Sequence, residues 1–98
     1  MAHEIEQEIL RQLGGNKFIA MTGAKNFIAG DGILAFRIPK AMNGINAVRI
    51  TLNSLDLYDM KFFRIYGFDM KQVAEVNGVY NDQLQSIFTA KTGLYTHL

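Results

Sequence analysis

Hydrophobic residues recur at helical spacing over residues 4–13, where Ile5, Ile9, Leu10 and Leu13 share one side. Glu4, Glu6 and Glu8 load the first turns with the negative charge that a helix N-terminus favours. The spacing predicts a helix, and Gly14-Gly15 supplies the backbone freedom to stop it. Residues 17–22 (KFIAMT) are rich in strand formers and read as a short strand, with a second brief one at Phe27-Ile28. Gly30-Asp31-Gly32 predicts a tight turn. Residues 33–38 (ILAFRI) then alternate, with Leu34, Phe36 and Ile38 pointing one way and Ile33, Ala35 and Arg37 the other, until Pro39. After a loop carrying Asn43-Gly44, residues 47–53 (AVRITLN) alternate again, Val48, Ile50 and Leu52 against Ala47, Arg49 and Thr51. A polar turn at 53–56 leads into residues 57–65 (LYDMKFFRI), where Tyr58, Met60 and Phe62 oppose Asp59, Lys61 and Phe63. Adjacent Phe62 and Phe63 imply either a bulge or a segment covered on both faces. Beyond Gly67, residues 71–76 predict a weaker strand ended by Asn77-Gly78. Helical spacing returns with Tyr80, Leu84, Ile87 and Phe88, with Asn81 or a neighbour capping the start and Lys91 with Gly93 marking the C-terminal end. Leu94 and Tyr95 are expected to dock after it.

The predicted order is helix, four or five strands, helix. Parallel pairing needs crossovers of about a dozen residues, and most gaps here are shorter. The expectation is therefore a mostly antiparallel sheet with both helices on one face, a two-layer α+β sandwich forming one domain over residues 1–98.

Composition narrows the function classes. Ten Lys plus Arg against nine Asp plus Glu give a formal net charge of +1, far from both a DNA-coating protein and an acidic nucleic-acid mimic. The absence of Cys excludes a disulfide scaffold, a thiolate zinc site and a Cys nucleophile. The N-terminal residues lack the basic start and apolar block of a secretory leader, and no uncharged apolar stretch approaches the roughly 18–20 residues of a membrane span. A cytoplasmic protein without a membrane partner is expected. Charges are dispersed, and no low-complexity tract or internal repeat stands out.

Candidate chemistry is sparse. His3 and His97, at opposite ends, have no partner at metal-ligand spacing and no place in a nucleophile–base pair. Asp56 and Asp59 fall on opposite faces of a strand start, where turn capping by Asp56 and an exposed strand charge at Asp59 are the simpler roles. Gly30-Asp31-Gly32 precedes a strand instead of opening a helix, so it reads as a hairpin turn and not a phosphate loop. No catalytic residue, metal or cofactor is expected.

One surface feature stands out. With the apolar parity beneath the helices, the opposite sheet face presents Arg37, Arg49, Thr51, Lys61 and Phe63. Guanidinium groups pair with phosphates and stack on bases, and a sheet-borne aromatic can do the same. A solvated face, a protein or self-association face and a nucleic-acid face all fit this pattern. Met42, Tyr66, Phe68 and Met70 near loops and strand ends are either core residues or interface anchors, and the two sheet edges favour self-association.

Three segments, QLGGNKFIAMTGAKNF (12–27), VRITLNSLDLYDMKF (48–62) and GVYNDQLQSIFTAKTGLY (78–95), resemble a family of small uncharacterised proteins encoded by bacteriophages, prophages and other bacterial mobile elements. The resemblance implies a role in phage biology or host takeover, inside a bacterial host cell, and brings no catalytic residues with it. The combined expectation is a non-enzymatic accessory protein that binds another macromolecule, most readily a protein, through its open sheet face and loops. The alternative is a small nucleic-acid-binding module using Arg37, Arg49, Lys61 and Phe63.

Overall fold

The first segment folds as the expected helix, α1 (Glu4–Leu13), burying Ile9 and Leu13 completely, but Ile5, expected in the stripe, is exposed and the Glu6 carboxylate is buried, held by a loop N–H. The computed structural model describes residues 4–39 and 41–94. His3, His97 and Tyr95 lie outside the described residues.

Gly14, at φ 126°, ends α1, yet the chain turns directly into a second helix, α2 (Gly15–Thr22). This corrects the strand expected at 17–22. Phe18 and Thr22, four apart, are buried while Lys17, Ala20 and Met21 are exposed, a helical burial pattern carried by residues that include β-formers. Tertiary packing decides the matter. The Phe18 ring meets Phe36 edge-on at 5.4 Å and Phe88 at 5.2 Å, contacts that fix its backbone in the helix layer.

Five strands follow: β1 (Lys25–Gly30), β2 (Ile33–Arg37), β3 (Ala47–Leu52), β4 (Tyr58–Tyr66) and β5 (Asp69–Val79). They pair in sequence order, every neighbour antiparallel. β1 and β2 are joined by the predicted two-residue turn, with Asp31 at φ 54° and Gly32 at φ 76°. The Gly32 N–H donates to the buried Glu6 carboxylate at 2.9 Å, so this loop serves to dock α1. Between β3 and β4 the turn is organised by Asn53, whose Oδ1 accepts from Leu55 and Leu57 N–H at 2.8 and 3.2 Å. Asp56, expected as the cap, instead takes the left-handed position at φ 60°.

Two bulges lie in β5. One falls opposite Phe62/Phe63, where the paired residues step from Ala74 to Gln72 and leave Val73 extra; β4 itself stays regular against β3. Phe62 and Phe63 are both buried, one on each face. The other is Asn77-Gly78, expected to end the strand. Instead, Gly78 at φ 69° donates its N–H to Asp59 at 3.1 Å and β5 continues to Val79. A 3₁₀ turn at Asn81–Gln83 then leads into α3 (Leu84–Thr92), whose Leu84, Phe88 and Thr92 are buried. Tyr80, expected in this stripe, is exposed, and its N–H and carbonyl pair with Gln83. Leu94 packs against the core as expected.

All three helices pack on the face formed by Leu34, Phe36, Ile38, Val48, Ile50, Tyr58, Met60 and Phe62, so the α+β two-layer arrangement stands. A short repeat, although none was expected from the sequence, organises this layer. FIAMTGA (18–24) and FTAKTGL (88–94) share Phe-x-Ala-x-Thr-Gly. In each copy the Thr hydroxyl donates to the Phe carbonyl at 2.7 Å and accepts the N–H after a left-handed Gly. The α2 and α3 helices thus end in the same way, with their phenylalanines in contact.

Phe18→Ala should lower unfolding free energy by about 3–5 kcal/mol, read by chemical denaturation, because it opens a cavity between β2 and α3. Burial, with the charges of Glu8 and then Asp56 contributing, raises the Tyr58 phenol above its ordinary 10.0. The unfolded chain then loses this proton first. Stability should fall as pH rises past about 10, and Tyr58→Phe should flatten that slope in denaturation midpoints measured across the alkaline range.

Candidate functional site on the open sheet face

With every helix on one side, the other face of the sheet is left uncovered by the described residues. The strand register lays out two adjacent rows across it. One row runs Lys25, Arg37, Ala47, Phe63, Gln72, and the next Ile28, Ala35, Arg49, Lys61, Glu75. All four residues singled out from the sequence, Arg37, Arg49, Lys61 and Phe63, therefore lie together on this face. Thr51 and Asp59 pair in the row beyond.

The surroundings are more apolar than the basic, aromatic-bearing face read from the sequence. Asn26, Ile28, Ala35, Arg37, Ala47, Arg49, Phe63, Ile65 and Met70 line a shallow basin of about 280 Å³. Its floor is apolar. Ile28 and Met70, at opposite sheet edges, are 71% and 56% exposed. Met70 was already a candidate interface anchor, but sequence reasoning missed Ile28 because β1 carries an irregularity at Asn26, φ 56°, which shifts Ile28 onto this face. Without that extra residue, simple alternation from Lys25 would turn Ile28 toward the helices.

Phe63 is not an open stacking platform. Only 7% of it is exposed, and the Arg49 guanidinium lies over its ring at 5.2 Å from the centroid. Arg37 donates through Nε to the Asn46 carbonyl at 3.3 Å. Neither Arg37 nor Arg49 forms an ion pair with a described residue. The two guanidiniums therefore stand beside the apolar floor, while Asp59 is engaged by Asn53 and Gly78.

Above this basin, β4 and β5 run on past the end of β3 as a projecting hairpin closed by Gly67-Phe68. Asn46 anchors it. Its side-chain amide donates to the Ile65 carbonyl and accepts the Ile65 N–H, each at 2.8 Å, and so extends the β3 ladder by one residue without a strand. Phe68 at the tip is fully exposed, and Tyr66, Met70 and Met42 are exposed as well, so none of these four folds back into the core. The Arg64 guanidinium covers Tyr66 at 5.0 Å. Among the described residues, no group of three or more His, Asp or Glu is arranged to hold a metal ion, and no helix is long and apolar enough to cross a membrane.

Comparison with protein-family models, with curated proteins and with solved structures finds no match to this chain.

Asn46→Ala should cost about 1–3 kcal/mol and speed amide exchange at Ile65 and along the hairpin to Lys71, with β2 exchange unchanged. Hydrogen-exchange mass spectrometry or NMR reads this directly.

Proposed function

We propose that this domain is a non-enzymatic binding module whose open sheet face receives a protein partner presenting an apolar segment with acidic groups. The observation that carries this reading is the apolar basin flanked by two arginines that lack carboxylate partners among the described residues. Apolar centres bordered by arginine are the usual anatomy of a protein interface, and an incoming carboxylate beside Arg37 or Arg49 would gain a charge-assisted bond next to a desolvated floor. The near-complete burial of Phe63 under Arg49 argues against base stacking and so favours a protein over a single-stranded nucleic acid. On the resemblance to phage and mobile-element proteins, the partner belongs to a bacterial host cell or to the element itself.

The test uses the intact chain as bait, comparing wild type with Ile28→Asp, Arg49→Glu and, on the helix layer, Ser86→Asp. A specific partner should be held by wild type and Ser86→Asp, and weakened by about 2 kcal/mol or more in the two sheet-face variants. Equal retention by all four proteins, or no specific partner at all, would count against the reading. Salt-dependent oligonucleotide binding that disappears in the Arg37→Ala/Arg49→Ala double variant would replace it with a nucleic-acid module.

A further inference from the structure

The two edges of the sheet are unequal. β1 is six residues long and kinked at Asn26, which blunts it as a template for pairing. β5 is eleven residues long, and its first four, Asp69–Gln72, are exposed and regularly paired before the bulge at Val73. Tyr66 and Asp69 flank a two-residue loop and form the closing hydrogen-bonded pair of the hairpin. By the alternation of an antiparallel ladder, Met70 and Gln72 then direct their N–H and C=O groups outward, away from β4.

Charge is placed unevenly along this edge. Arg64 and Lys71 are direct cross-strand partners, a like-charge pair that destabilises the ladder, and neither has an ion-pair partner among the described residues. Asp69 lies two residues from Lys71 on the same sheet face and is likewise without one. The fully exposed Phe68 and the exposed Met70 adjoin them.

We propose that two copies of this chain pair antiparallel through the outer edge of β5, with Met70 on the twofold axis. In this register Met70 faces Met70 of the second copy with both outward backbone groups satisfied. Lys71 of each copy lies opposite Asp69 of the other, supplying the counter-charge that the Arg64–Lys71 pair lacks. Phe68 comes opposite Gln72, and the Val73 bulge ends the pairing. A register shifted by one residue, centred on Lys71, would set Lys71 against its own symmetry mate and is disfavoured. The pairing joins the two sheets into one ten-stranded sheet and brings the Met70 rims of the two basins side by side. It shares Met70 with the rim of the open-face basin, but the backbone groups and charges it uses lie outside the Ile28–Arg49 row, so the two readings are tested separately.

Light scattering coupled to size exclusion, together with sedimentation equilibrium, should give twice the 11.0 kDa chain mass for the wild type. Lys71→Asp and Asp69→Lys should each weaken association about tenfold or more, with unchanged circular dichroism, because each sets like charges opposite one another twice. Mixing these two variants should restore the dimer as a heterodimer, since every opposed pair is then Asp against Lys. A monomeric wild type at all accessible concentrations would overturn the proposal. So would a dimer indifferent to both reversals, or a mixture that fails to associate. Ile28→Asp should leave the dimer intact, which separates this outcome from that of the open-face test.

Discussion

The ring of Phe18 is the point through which the two layers of this molecule are joined. It is wholly buried, and it touches Phe36 from the sheet and Phe88 from the last helix, while Phe36 in turn meets Phe27 at 5.4 Å. Burial of one such ring contributes about 2–3 kcal/mol, and each edge-on contact about 0.5–1.5 more. The geometry matters beyond the energy. α2 is only eight residues long and would not hold itself as an isolated helix, so its conformation is borrowed from this contact. Gly14 and Gly23, both at positive φ, bracket it and let the chain enter and leave the ring's position.

Placing all helices on one side has a direct consequence for the other. A meander of five strands leaves no crossover to cover its second face, and that face is consequently shaped by the strands alone. Its irregularities are where its character arises. The extra residue at Asn26 brings Ile28 to the open side, the Asn46 amide carries the ladder past the end of β3, and the Val73 bulge limits how far the β5 edge stays regular. Each is a local departure from the pleat, and each changes which side chains a partner would meet.

Much of this was legible in the residues. β2, β3 and the first two-thirds of β4 alternate so cleanly that their parity, and hence the shared face of Arg37, Arg49, Lys61 and Phe63, followed from spacing alone. The misreadings have physical causes. Residues 17–22 form a run too short for periodicity to separate helix from strand, and their packing partners lie far along the chain. Comparison with residues 88–94, which repeat Phe-x-Ala-x-Thr-Gly, would have identified the helix. Asn77-Gly78 looks like a turn because the left-handed conformation it needs is the same in a turn and in a bulge. The basin was hidden for a related reason, since a one-residue slip in β1 cannot be read from alternation.

The sheet is built wholly from pairings between consecutive strands, whereas its lid is assembled from opposite ends of the described chain, α1 and α2 before the strands and α3 after them. During synthesis the hairpins can therefore form one after another as the chain emerges, but Phe18 has no second ring to close against until residues 84–92 have left the ribosome. Until then the apolar face of the sheet has only α1 and α2 to cover it. The interval between completion of β5 and emergence of α3 is the moment when a chaperone, or another nascent copy, has most to bind.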